Sequence, residues 1–267
     1  MHPRVSVNPA SFPADITLDE LIDSYVRAGA HSVGYRRAMI ADEGVEETLA
    51  QIAAANLRPV YLIQREFFRL ATPAAWEADR ATVRETVDWA KRLGASIYGT
   101  TGAGAAAGLT WEQSRDAFVE AASPAGAYAK EQGVALMIEN SSHMFADYHF
   151  THTLRDAIDV SHAAGFGVCV DFHSAWVDRG LQAEIARAGS TIGLVQVCDY
   201  TPGDRTMNRG IPGTGVMPLE RLFAWVLETG YEGFFDLELW GDSGMDDVEA
   251  VKRGADAVGT ILDRLGV

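Results

Sequence analysis

The sequence is short of several features that would commit it to a compartment or a partner. Only two cysteines, Cys169 and Cys198, occur in 267 residues, and both sit inside apolar runs, GVCVD and VQVCD. That number rules out a disulfide framework, and a reduced cysteine in such a setting behaves as a small core hydrophobe. No stretch approaches the roughly 18 uninterrupted apolar residues that a membrane span requires. The opening MHPRVSVNPASFP has neither the basic segment nor the apolar core of a secretory signal, so a cytoplasmic location is expected. Basic residues are outnumbered, 22 against 37 acidic ones, for a formal net charge of −15. Such a field repels polyanions, and no basic cluster offsets it, so nucleic acid is not an expected partner. A G-x-G-x-x-G turn after the first strand is missing too, and with it the mark of a dinucleotide-binding sheet.

What is present is a repeated pattern without a repeated sequence. A short apolar strand followed by a stretch with apolar residues at three- and four-residue spacing recurs eight times. The strands are expected at 4–9, 31–36, 58–63, 96–101, 134–140, 167–173, 193–199 and 234–240. Helical stretches such as LDELIDSYVRAGA, RATVRETVDWAKRLGA and PLERLFAWVLETGY lie between them, several ending in glycine or asparagine. Strands that alternate with helices run parallel and are covered on both faces. Eight such units in this length predict a (β/α)8 TIM barrel, one domain over 1–267. Active sites of such barrels form at the C-terminal ends of the strands.

The last four predicted strands end in residues that a purely structural strand would not choose. Alternation sorts them by face. In VALMIEN, Glu139 shares a face with Met137; in GVCVDFH, Asp171 and His173 go with Cys169; in GLVQVCD, Gln196 goes with Leu194 and Cys198; in FFDLELW, Asp236 and Glu238 go with Phe234 and Trp240. Apolar Ile138, Val170, Val195 and Leu237 then turn toward the helices. Buried carboxylates repel one another unless something positive lies among them, and a divalent cation meets that demand. Any one of these acids would read as a solvated loop residue or a helix cap; the series on consecutive strands is what points to a site.

These segments, MIEN, VCVDFHSAW, VQVCDY followed by RGIPGTGVMPLERLF, and GYEGFFDLELWG, resemble the xylose isomerase-like TIM-barrel superfamily of sugar isomerases and epimerases. The resemblance implies one divalent metal held by Glu139, Asp171, Gln196 and Glu238. Histidine is the commoner third ligand, whereas hydroxypyruvate isomerase-like and 3-dehydroshikimate dehydratase-like members share the glutamine. An amide oxygen is a harder ligand than imidazole, which favours Mn2+ or Mg2+, with Co2+ or Zn2+ as alternatives. It also implies Glu139 and Glu238 as proton-moving groups and Arg209 as a ligand for a substrate oxygen.

The expected activity is a metal-dependent isomerisation or epimerisation of a sugar or keto-polyol, by proton abstraction next to a carbonyl through a metal-stabilised enediolate. Two alternatives stand beside it: a dehydratase or lyase that eliminates from the same enolate, and a non-catalytic sugar-binding barrel. His173 is read as a proton relay or substrate contact, although many relatives place their histidine one residue later. Trp176 and Trp240 offer apolar walls, while His143 and His149, in the segment after strand five, read more readily as surface histidines. Asp199 and Asp236 read as supporting residues. Arg36, Arg37 and Arg65 hint at an anionic or highly oxygenated substrate, with exposed salt bridges as the competing explanation. The substrate class is thus a small sugar or keto-acid, and the resemblance implies a homo-oligomer.

Overall fold

The computed structural model describes residues 1–203, 205–241 and 244–267. Eight parallel strands follow one another in chain order around a closed barrel. They are β1 (Val5–Val7), β2 (Ser32–Arg36), β3 (Arg58–Glu66), β4 (Ser96–Thr100), β5 (Leu136–Glu139), β6 (Gly167–Asp171), β7 (Ile192–Val197) and β8 (Phe235–Leu237). The early helices are α1 (Leu18–Ala28), α2 (Arg37–Glu43), α3 (Val45–Ala54), α4 (Trp76–Leu93) and α5 (Trp111–Gln132). The later ones are α6 (Leu154–Ala164), α7 (Phe172–Ala175), α8 (Leu181–Ala188), α9 (Leu219–Leu227) and α10 (Asp247–Arg264). The (β/α)8 architecture expected from the sequence is therefore the one observed. Among the described residues no helix is long and apolar enough to cross a membrane.

Helix ends follow local chemistry. Thr17, Thr110 and Thr153 each accept the backbone N–H three residues on, and Glu20, Gln113 and Asp156 return the bond. These reciprocal caps satisfy donors that have no partner inside the helix. At the other end Gly29, Gly94, Gly133 and Gly165 adopt left-handed backbone, with φ of 67° to 76°, which costs glycine little.

The predicted strand over 167–173 needs correction. β6 ends at Asp171, whose carboxylate caps α7 by accepting the His173 N–H at 2.9 Å and the Ser174 hydroxyl at 2.7 Å. His173 therefore lies on a helical turn and does not continue the strand face of Asp171. Likewise β8 closes at Leu237, and Glu238 stands one residue beyond it.

The chain falls into two compact units, one formed by Met1–Val60 with Leu194–Val267 and the other by Tyr61–Gly193. In the first, β1 pairs with β8 and β2, and β7 pairs with β8. Val7 and Val197 both register with Leu237, while Ser6 and Gln196 both register with Asp236. Leu237 packs on α10 at Gly254, where a Cβ would lie 2.9 Å from both leucine methyls. The apolar row thus faces the helix, and the row of Gln196, Asp236 and Ser6 takes the opposite face, as strand alternation requires. Burial of a leucine at such a position contributes about 1.5–3 kcal/mol. The Asp236 carboxylate is satisfied within the row, by Ser6 Oγ at 2.5 Å and Asn8 Nδ2 at 2.9 Å.

In the second unit β3, β4, β5 and β6 pair in sequence. Phe67, Phe118 and Phe166 meet edge to face with centroids 5.6–6.4 Å apart, filling the space under α5. The β3–β4 register shifts between Gln64 and Glu66. At this irregularity Gly99 passes so close to Gln64 that a Cβ would run into the Gln64 carbonyl oxygen. Backbone cannot yield as a flexible side-chain tip can. Gly99→Ala is accordingly expected to destabilise the fold by about 1–3 kcal/mol, read as a lower urea midpoint with an unchanged slope; an unaltered midpoint would show that the strands can part there.

Candidate active site

In the second unit the ends of β5 and β6 are tied together by one side chain. Asn140, next after Glu139, donates from Nδ2 to the Asp171 carbonyl at 3.0 Å and accepts the Asp171 N–H on Oδ1 at 2.9 Å. Glu139 and Asp171 are both buried. With Glu139 in register with Cys169, Asp171 lies two residues farther along the neighbouring strand on the same face. Strand parity predicts a shared face for these two carboxylates, and the β5–β6 register agrees with it; Asn140, which ties their backbones, carries no such signal in the sequence.

A second tie reaches Glu139 from the loop behind it. His149 is fully buried, in contrast to the surface position expected for it. Its Nδ1 accepts the Thr101 N–H at 3.2 Å, so the ring proton sits on Nε2, which lies 2.9 Å from Thr151 Oγ1. The Thr151 hydroxyl in turn donates to the Glu139 carbonyl at 3.1 Å. Burial, reinforced by neighbouring His152, lowers the His149 pKa from 6.5 to about 3. His143 is exposed.

In the first unit Gln196 is buried on β7 and Glu238 is buried just past β8. Arg209 is buried with Glu238, its Nη1 3.1 Å from Glu238 Oε2. A pair removed from water in this way is costly to break from one side, because the remaining charge stays buried. Arg209 reaches that place because its backbone bridges Trp240, with N–H to O distances of 2.7 and 3.2 Å, and its guanidinium lies 6.0 Å from the Trp240 ring centre.

The loop that carries Arg209 is organised by Asp199. Among the described residues, four backbone amides converge on this one carboxylate: Tyr200 and Met217 on Oδ1, Gly213 and Gly215 on Oδ2, at 2.8–3.0 Å. Asp199 also exchanges two backbone bonds with Gly210, both 2.8 Å. A Cβ at Gly215 would strike Asp199 itself, which explains the glycine in RGIPGTG. The sequence had marked Asp199 as a supporting residue, and this is the support it gives.

Beside Arg209 lies a cavity of about 560 Å³, walled by residues that follow β1, β2, β7 and β8, among them Phe12, Arg36, Asn208, Thr214 and Trp240. Trp240, at 44% exposure, presents its indole to this space. Trp176 is half-buried at the end of α7, and His173 is half-buried within it. Among the described residues no group of three or more His, Cys, Asp or Glu side chains is gathered closely enough to hold a metal ion.

A closed barrel with acidic strand ends defines a class before it defines a reaction, and the comparisons agree on the class. The chain belongs to the xylose isomerase-like TIM barrel family, whose pattern matches residues 22–261. Over 95 residues it is 30% identical to the Shigella dysenteriae serotype 1 (strain Sd197) protein UlaE, which is named for L-ribulose-5-phosphate 3-epimerase activity; the match covers 35% of this chain and spans 32% of that relative. A crystal structure of a Sinorhizobium meliloti 1021 protein superposes with a TM-score of 0.79 at 25% identity, covering 99% of this chain and 98% of the other. The IolI protein, solved with a zinc atom, superposes with a TM-score of 0.81 at 15% identity over 98% of both chains, a likeness of fold.

Two outcomes follow from these contacts. Unfolded, His149 takes up its proton near 6.5; folded, it does so near 3. Between those values the unfolded chain binds the extra proton, so the stability held by neutral His149 is complete above 6.5 and is lost as pH falls, by up to about 1.4 kcal/mol per pH unit. His149→Gln should flatten the fall of unfolding free energy between pH 6.5 and pH 4, and an unchanged slope would exclude the residue as its source. Asp199→Asn should cost about 1–3 kcal/mol and speed hydrogen exchange at Gly213, Gly215 and Met217; protection equal to wild type would mean that the loop holds itself.

Proposed function

We propose that the protein is an isomerase or epimerase that moves a proton on a carbon beside a carbonyl, in a sugar or keto-polyol. The observation that carries this reading is a buried glutamate, Glu238, held by a buried Arg209 beside a cavity of small-molecule size, in a family barrel whose β5 ends in a second buried glutamate, Glu139. The name of the UlaE relative supports the same chemistry, over a third of that protein's length.

Glu139 and Glu238 are the groups that take and return the proton, since a carboxylate within reach of an acidic C–H can do both. Arg209 has two tasks: its Nη1 holds Glu238 in one orientation, and the rest of its planar guanidinium donates to a substrate oxygen. His173 and Trp176, on and just after α7, are assigned to the substrate as hydrogen-bonding and apolar contacts. Burial of both glutamates keeps bulk water from competing for the proton.

The proposed donor set of Glu139, Asp171, Gln196 and Glu238 is made of oxygen alone, a chemistry suited to a hard divalent ion, Mn2+ or Mg2+ ahead of Co2+ or Zn2+, although its three carboxylates do not form a ready cluster in the structure. When bound, the ion supplies Lewis-acid stabilisation for negative charge on the substrate oxygens. Gln196 Oε1 would be the neutral oxygen of that set.

The decisive measurement is incubation with Mn2+ and a ketose in D2O, followed by NMR. Deuterium next to the carbonyl of a rearranged sugar is the expected result, whereas loss of water to an unsaturated product would make the protein a lyase. Glu139→Gln and Glu238→Gln should each reduce exchange at least about a hundredfold, and Gln196→His should move metal preference toward Zn2+. Full exchange in both glutamine variants would remove these residues from the reaction.

A further inference from the structure

The cavity beside Arg209 carries chemistry that proton transfer does not use. Arg36, at the end of β2, lines it half-buried and is anchored by backbone alone: Nη2 donates to the Pro9 carbonyl at 2.7 Å and Nη1 to the Ala14 carbonyl at 3.5 Å. Both partners are neutral oxygens of the segment after β1, and no carboxylate is paired with Arg36 among the described residues. In a chain of net charge −15, a guanidinium turned into a cavity without an acidic counterpart is set apart from the other wall residues. The lining holds two guanidiniums and one carboxylate, Asp247, among the described residues. Arg209 is balanced by Glu238 at 3.1 Å, so among the described residues Arg36 is the lining cation without a close ion pair. Thr201 and Asn208 add neutral polar groups, while Phe12 and Trp240 add apolar faces. At about 560 Å³ the space is of the size that small-molecule sites occupy.

We propose that this cavity is a subsite for an oxyanion, a phosphate or a carboxylate, at the end of the substrate remote from the reacting carbon, with Arg36 as its anchor. The proposal rests on the isomerase reading for what happens beside Glu238, but the binding of the anion does not depend on turnover. Arg209 joins the two places, because it lines the cavity and also holds Glu238. A substrate lying along this wall has its carbonyl end at the ion pair and its anionic end at Arg36. Guanidinium suits this task because its planar donors match the geometry of phosphate and carboxylate oxygens.

The test is calorimetric titration of the full chain with three probes: L-ribulose, L-ribulose 5-phosphate and D-glucuronate. Wild type is expected to bind at least one anionic probe about tenfold or more tightly than L-ribulose, as loss of a charge-assisted bond would allow; which probe gains identifies phosphate or carboxylate. Arg36→Met should bring the preference to within about twofold, and Arg36→Lys should keep part of it, both with the L-ribulose affinity of wild type. A wild type that does not prefer either anion, or a preference that survives Arg36→Met, overturns the subsite. If anion preference holds while no deuterium exchange is seen with any probe, the isomerase reading falls and the subsite stands. If L-ribulose exchanges deuterium and neither anion binds better, the reverse is true.

Discussion

A single carboxylate sets the shape of the more elaborate end of this barrel. Asp199 gathers the amides of Tyr200, Gly213, Gly215 and Met217, and in doing so folds a long loop back on the strand that precedes it. The bond to the Met217 amide is buried and the other three are part-buried, and leaving the buried one unmade would cost about 1–3 kcal/mol. The described part of the loop is closed at both flanks, and Arg209 lies beside Glu238. The ion pair, the orientation of Trp240 and the wall of the cavity all depend on that closure.

The other acidic strand ends are held by a similar device with different parts. Asn140 joins β5 to β6 through two backbone bonds, and His149 with Thr151 grips the carbonyl of Glu139. In the second unit the backbones of Glu139 and Asp171 are thus fixed by the side chains of their neighbours. The carboxylates themselves also hold structure: Asp171 caps α7 at His173 and Ser174, and Glu238 pairs with Arg209. Asp236 is a further case: its carboxylate is taken up by Ser6 and Asn8, and it acts as a strut of the barrel.

Much of this was legible in the sequence, and the reasons are physical. The period of the apolar residues reports helix and strand directly, so the order of elements and the barrel followed from it. Parity along β7 and β8 puts Gln196 and Asp236 on one face, and the register of the two strands pairs them; Glu238 lies one residue past β8. What was not legible depended on partners distant in sequence. His149 looked like a loop histidine because its burial comes from Thr101, 48 residues earlier. The Arg209–Glu238 pair spans a loop and a helix. The turn at α7 was hidden for a different reason: VDFH continues an apolar strand pattern, and only the capping role of Asp171 stops it.

The loop behind Asp199 has a consequence for how such a protein changes over generations. Its path is dictated by amide hydrogens and by glycines at 213 and 215, not by the side chains it displays. Thr201 and Asn208, which face the cavity, contribute no side-chain hydrogen bond to the four-amide cluster on Asp199. The scaffold and the palette are therefore separate alphabets: one set of positions is barred from drifting, while another can be rewritten without disturbing the first. A lineage built on this plan can try new molecules at the wall while the Asp199 scaffold is inherited intact.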